Sequence, residues 1–262
     1  MITSKPLIMP LMNKNTKIVT IDLDARAYDI YIGEGLIYRA NDFIPKDIKG
    51  RSLFILADEN VISAAQAIQT NLTENGAKEV HLKTLQAGEH AKSFPGVEEI
   101  CSWLLNLNIT RDSLIVAVGG GVIGDLAGFC ASIILRGVAF VQVPTTLLAQ
   151  VDSSVGGKTG INTAQGKNLV GAFYQPSAVI ADLEILKTLP ERELLAGYAE
   201  IVKYGLIRNA SFFEWLEENG SKVVHFDKEA ITHAIEVSVK AKAQIVQADE
   251  HEQGQRALLN LG

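Results

Sequence analysis

The stretch Ser113–Leu135, SLIVAVGGGVIGDLAGFCASIIL, decides the fold. Asp125 is its only charge, and a run this apolar is long enough to cross a bilayer. Gly119, Gly120 and Gly121 argue against that reading, because they separate a β-rich half, LIVAV, from a half with helical character. A strand covered on both faces also reads as an unbroken apolar run. Strand, glycine turn and helix are therefore expected here, and with them an α/β core.

The same turn carries chemistry. Gly119, Gly121 and Gly124 satisfy G-x-G-x-x-G where a strand meets a helix, a junction that can hold a pyrophosphate on free N–H groups at the helix start. The ordinary dinucleotide fingerprint also needs an acid about 20 residues further on for the ribose, and there the chain reads VAFVQVPTT. A glycine turn that merely packs a helix on a sheet has the same look, so the cluster alone settles nothing. Downstream, Asp125, Asp152, Lys158 and Lys167 stand among Val, Ile and Gly residues. Unpaired buried charge is strongly unfavourable, so this density points to a polar site.

Working outward, strands are expected at Lys17–Asp22, Ser52–Ala57, Lys78–Leu82, Ser113–Val118, Val138–Val143 and Ala178–Ala181. Helical spacing falls between them: Val61–Glu74 sets Val61, Ala64, Ala65, Ile68 and Leu72 on one stripe, and Pro95–Leu107 does the same with Val97, Ile100, Cys101, Leu104 and Leu105. Beyond Pro190 only helical patterns follow, at Glu191–Ile207, Phe212–Glu218 and Lys228–Glu250. The expected fold is α/β: a Rossmann-like N-terminal domain at residues 17–182, then the beginning of an all-helical domain at 183–262, with residues 1–16 as an N-terminal tail. In the helical part, Glu200 and Lys203 share a face three residues apart, and Glu252, Arg256 and Asn260 would share one if their segment is helical.

Composition bounds the function. A chain of 262 residues with 47% hydrophobic content can bury a large core, and a net charge of −6 without a basic run argues against a nucleic-acid surface. Cys101 and Cys130 are far apart in sequence and support neither a disulfide framework nor a cysteine metal site. The N-terminus lacks the pattern of a signal peptide. The expectation is a cytoplasmic protein with a small-molecule ligand and neither a nucleic-acid nor a membrane partner.

Taken together, GGGVIGDLAGF, PTTLLAQVDSSVGGKTG, GYAEIVKYG and RALLNLG make the chain resemble the 3-dehydroquinate synthases, a family of the sugar phosphate cyclases. The resemblance implies a lyase of the shikimate pathway, with NAD and a divalent metal, zinc or cobalt, as cofactors. It turns a phosphorylated sugar acid into a carbocycle by transient oxidation, phosphate elimination, re-reduction and aldol closure. It places Asp58, Asn60, Glu89, Lys92, Gly120, Gly121, Val122, Ile123, Gly124, Asp125, Thr145, Thr146, Ile185, Thr188, Leu189 and Glu193 along NAD, with Lys158 and Lys167 serving cofactor and substrate. Asp152, Asn168, Lys203, Lys242, Glu252, Arg256 and Asn260 complete the catalytic set, Arg136 reaches into a neighbouring subunit of a homodimer, and Glu200 is a metal ligand. Asp58 then supplies the acid that the glycine fingerprint lacked.

The family pattern runs from RALLNLG directly into a histidine-bearing helix, and the sequence stops at Gly262. His81, His90, His225, His233 and His251 match none of the metal positions. A catalytic zinc normally takes three protein ligands, so the expectation is a C-terminally truncated synthase that is inactive as it stands. Glycerol and iron-dependent alcohol dehydrogenases share the two-domain plan, other sugar phosphate cyclases share the motifs, and a non-catalytic NAD-binding module is the reading from another class. Lys158 in VDSSVGGKTGIN and Lys167 in the following GKNLVGAF, together with Lys242 and Arg256, favour a substrate bearing phosphate and carboxylate.

Overall fold

The computed structural model describes residues 16–260, apart from the side chains of Arg208, Gln255 and Asn260. The expected tail therefore falls outside the described residues except for Thr16, and so does the expected role of the Asn260 side chain.

Nine strands and six α-helices follow one another among the described residues: β1 (Lys17–Ile21), β2 (Tyr28–Gly33), β3 (Ser52–Asp58), α1 (Ile62–Glu74), β4 (Glu79–Leu85), α2 (Phe94–Asn106), β5 (Leu114–Gly119), α3 (Gly121–Ile133), β6 (Ala139–Pro144), β7 (Lys158–Thr163), β8 (Gly166–Phe173), β9 (Ala178–Asp182), α4 (Glu191–Arg208), α5 (Ala210–Val224) and α6 (Lys228–Ala248). Seven strands form one sheet in the order β1-β2-β9-β6-β5-β3-β4, parallel except for the β1–β2 pair. The glycine junction of the opening stretch is the β5–α3 turn, as its pattern predicts.

Alternation along β3 shows how the sheet is covered. Leu53, Ile55 and Ala57 face a cluster with Ala65, Ile68 and Leu72 of α1, while Phe54 and Leu56 face one with Ile100 and Leu104 of α2 and Leu126 and Cys130 of α3. Ser93 caps α2 by accepting from the Gly96 N–H, and Pro95 sits in the first turn, where its missing donor is not needed. Cys101 and Cys130, remote in sequence, are free thiols carried by α2 and α3.

The helices beyond Pro190 form as the spacing predicts, and they share one core with the sheet: Ile201, Leu216, Ile235 and Val239 pack with Ile21, Ile30 and Ile32 of β1 and β2. The division into units 17–182 and 183–262 is thus a proposal about chain segments that meet in a common core. No helix among the described residues is long and apolar enough to cross a membrane.

Two elements depart from the expectation. β2 was not read as a strand, and the glycine-rich segment around Lys158 is not a loop but the antiparallel hairpin β7–β8, with Gly160 opposite Gly171. The hairpin lies against α3, close enough that a Cβ on Gly128 would stand 2.5 Å from Thr159 Cγ2.

Candidate active site

Chain order sets the site's place. From β3 the chain moves outward through α1 to β4; from β5 it moves the other way through α3 to β6. The crevice opened by such a reversal lies outside the carboxyl ends of the two strands, where open α/β sheets bind ligands. Asp58 ends β3 and the Gly119–Gly121 turn ends β5, so the acid and the glycine cluster flank one switch point. Asp58 Oδ1 accepts from the Asn60 backbone N–H and side-chain amide, both at 2.9 Å. Asn60, Ile185 and Thr188 line a cavity of about 220 Å³ beside this end of the sheet.

A second cavity, of about 540 Å³, gathers Asp125, Asp152, Lys158, Asn168, Lys242 and Glu252. Three ion pairs cross or border it: Lys242 Nζ to Asp152 Oδ1 at 2.5 Å, Lys92 Nζ to Asp125 Oδ2 at 2.5 Å, and Lys158 Nζ to Glu252 Oε2 at 2.6 Å. Asp152 reaches the cavity from a single π-type turn, Ala149–Ser153, that continues the helical start after Thr146, whose Oγ1 accepts from the Ala149 N–H. Such wide turns often mark functional sites, because the extra residue re-aims a side chain.

Electrostatics differ between the two buried acids. At Asp152 burial works upward, but Lys242, Lys203 and the Tyr204 hydroxyl together hold the carboxyl below its usual range. At Asp125 burial outweighs Lys92 and pushes the carboxyl up. Burial draws Lys242 down, with only 7% of its side chain exposed. Tyr204 was not singled out from the sequence; its hydroxyl lies 3.1 Å from Asp152 Oδ1. Its place four residues after Glu200, in GYAEIVKYG, was the available signal.

Other expected residues lie differently. Lys203 Nζ contacts Glu200 Oε1 at 2.5 Å and donates to the Leu259 carbonyl at 2.8 Å, as the shared helix face implied. Arg256 and Glu252 do not share a helix face: Glu252 has φ of +56°, and only a 3-10 segment, Gln255–Asn260, follows it. Arg256 is 1% exposed and donates to the Glu250 and Gly156 carbonyls rather than lining the cavity. Lys167, Glu193 and Arg136 are exposed, and Ile123 is buried in the core, so Ile123 and Gly124 offer the crevice backbone only, while Val122 is half-buried. Glu89 accepts from Asn162 of β7 at 2.7 Å, Thr145 is buried beside the glycine turn with its N–H on the Gly119 carbonyl, and Leu189 packs into the helical core.

The residues at the switch point fit a dinucleotide: an acceptor at one strand end, and small residues over a helix start at the other. Gly120 and Gly121 lie so near Thr146 and Ser153 that a Cβ would stand 3.2 and 3.0 Å from them. A metal is fitted less well. Burial pushes the Glu200 carboxyl up, and no group of three His, Cys, Asp or Glu residues among those described could hold an ion. His233 packs against Trp215 at 4.5 Å between ring centroids and His251 against Phe173 at 5.0 Å.

Comparison with known proteins agrees with this geometry. Residues 82–196 match the family model described as 3-dehydroquinate synthase N-terminal, and residues 197–262 match 3-dehydroquinate synthase C-terminal. A 3-dehydroquinate synthase of Roseobacter denitrificans is 52% identical over 93% of this chain and 66% of its own length. One of Rhizobium meliloti is 51% identical over 97% of this chain and 67% of its own. The chain thus spans about two thirds of the length of these relatives. Among solved structures, 2-deoxy-scyllo-inosose synthase complexed with carbaglucose-6-phosphate, NAD+ and Co2+ superposes with a TM-score of 0.81 at 29% identity, over 93% of this chain and 66% of that one.

Proposed function

The chain belongs to the 3-dehydroquinate synthase family, and from that premise we propose that its site serves the family's reaction: 3-deoxy-D-arabino-heptulosonate 7-phosphate to 3-dehydroquinate and phosphate. One observation carries the reading, the meeting of Asp152, Lys158, Lys242 and Glu252 in a single cavity beside a dinucleotide-type switch point. A bound NAD supplies a hydride acceptor that is restored within one turnover. Asp58 would accept from its ribose hydroxyls, and the first N–H groups of α3 would meet its pyrophosphate. Lys158, Lys242 and Asn168 would take the substrate's anionic groups, since ammonium groups give charge-assisted hydrogen bonds to phosphate and carboxylate. Asp152, lowered by Lys242, is the better hydroxyl-orienting acceptor, and Asp125, pushed up by burial, binds a proton more readily than Asp152 does. No step is assigned to a metal, because Glu200 alone does not make a site; metal-dependent turnover would draw its remaining ligands from outside the described residues.

The test measures phosphate release with catalytic NAD and zinc or cobalt in the protein carrying the remaining metal ligands, and the chain without them is expected to be inactive. Release without accumulation of NADH is expected. NADH accumulating one for one with substrate would make the protein a dehydrogenase, and NAD binding without any release would reduce it to an inactive, NAD-binding module.

A second expectation concerns the cofactor end. Asp58→Ala should weaken NAD binding by about 1.5–3 kcal/mol, the usual loss for a hydrogen bond to a charged acceptor. Calorimetry returning an unchanged Kd would remove Asp58 from the site. A cytosolic homodimer belongs to the same proposal. α3 starts at the site and is 13 residues long, about 20 Å, so Arg136 just past its end is placed to serve a neighbour's site instead of its own.

A further inference from the structure

Glu250 lies outside the cavity, yet it joins the segments that build two of its walls. Arg26 grips its carboxylate with both terminal nitrogens, at 2.6 and 2.8 Å, from the turn between β1 and β2. Gln175 Nε2 donates to the same carboxylate at 2.9 Å. The Glu250 backbone carbonyl accepts from Arg256, whose other terminal nitrogen donates to the Gly156 carbonyl at 3.0 Å.

Two of these three partners of Glu250, Arg256 and Gln175, press on the turn that leads into β7. A Cβ on Gly156 would stand 2.6 Å from the Arg256 guanidinium, and one on Gly157 would stand 2.6 Å from the Gln175 amide. These glycines have φ of +93° and +65°, so the turn is shaped by those two side chains and by the left-handed backbone that glycine alone takes readily. The Gly156 N–H donates to the Tyr28 hydroxyl at 3.0 Å, close to Arg26 in sequence. The next residue is Lys158. On the other side Glu252 follows Glu250 by two residues, and the Asp249 carboxylate fixes that reversal by accepting from the N–H groups of Gln253, Gly254 and Arg256 at 2.7–3.0 Å.

We infer that Glu250, clasped by Arg26 and Gln175, is a positioning residue that holds Lys158 and Glu252 opposite each other across the cavity. Its carboxylate touches neither substrate nor cofactor site; it acts through the Gly156–Gly157 turn and the 249–256 reversal. The catalytic consequence rests on the reading given under the proposed function, whereas the placement does not. Arg26 is 55% exposed but Glu250 only 11%, and a bidentate pair can carry stability as well as position, so a second, remote ion pair is needed to separate lost placement from a loosened fold.

Zero-length carbodiimide coupling reads the placement directly. It condenses an amine and a carboxylate in contact into an amide, with loss of water taken up by the reagent. The cross-linked peptide joining Lys158 to Glu252 is quantified by mass spectrometry, with the Lys83–Glu99 pair, 2.7 Å apart on another face, as internal standard. Arg26→Ala and Glu250→Gln should lower the Lys158–Glu252 yield severalfold relative to the standard, and Arg26→Lys should restore most of it. NAD affinity should not change in Arg26→Ala. Equal coupling in all variants overturns the inference, as does a fall in both pairs together, which signals general loosening. Where phosphate release is measurable, kcat should fall about tenfold, because small misplacements of reacting groups are expensive, while KM for NAD stays the same. Absence of release in every variant would defeat the proposed reaction and leave the coupling result to decide on Glu250.

Discussion

Lys242→Met is expected to destabilise the fold by about 3 kcal/mol, the lower end of the usual loss on removing one partner of a buried ion pair. Lys242 Nζ donates to both the Oδ1 and the backbone carbonyl of Asp152, at 2.5 and 2.6 Å. Methionine fills the space but leaves the Asp152 charge, 32% exposed, with the Tyr204 hydroxyl and the more distant Lys203 and Arg256. The effect should depend on pH. The Asp152 carboxyl sits below its unfolded value, so its contribution to wild-type stability is present above about pH 3.9 and is lost as pH falls through the folded pKa. In the variant the ionised acid is a liability that protonation removes. The gap between variant and wild type should therefore be widest at neutral pH and shrink towards pH 3, measured as urea midpoints at several pH values. Adding Asp152→Asn should recover part of the loss. A gap that does not change with pH would mean that methionine merely packs badly.

Gly171→Ala should part the two strands of the β7–β8 hairpin. A Cβ there would overlap the Thr159 carbonyl oxygen and stand 2.9 Å from Gly160 Cα. Both are backbone atoms of the paired strand, so no rotamer change relieves the clash, and overpacking of this kind is unfavourable by about 1–3 kcal/mol before any rearrangement. Only a parting of the two strands relieves it, and because β7 is the strand packed on α3, β8 moves, carrying Asn168 and Phe173 from the cavity. Hydrogen exchange should show lost protection across residues 158–173 and intact protection in β5 and β6. Unchanged protection of the hairpin would show that the paired backbone absorbs the added methyl without parting.

The parallel strands were legible because burial on both faces leaves little but Val, Ile, Leu and Ala: the expected Ser52–Ala57 and Ala178–Ala181 each differ from β3 and β9 by one residue. β2 was not, since YDIYIG alternates over six residues with an acid and two tyrosines in it. The hairpin was hidden by the glycines that let it nest, which read as loop. Within the site, residue types were legible and partnerships were not. Lys92 finds Asp125 and Lys242 finds Asp152 only through tertiary packing, across 33 and 90 residues. The four-residue spacing of Glu252 and Arg256 misled because it assumed a helix where Glu252 adopts a left-handed backbone.

The seven-stranded sheet also sets a timetable for synthesis. β1 and β2 pair with each other, but the only other neighbour of β2 is β9, so Ile30 waits for Val179. At ~5–20 residues per second the ribosome needs roughly 8–30 s to deliver it. Throughout that interval the nascent ribbon shows an unpaired edge and the bare faces of Ile21, Ile30 and Ile32, the kind of surface that recruits chaperones or other nascent chains. A pause in translation before Ala178 prolongs that exposure, and one after Asp182 does not.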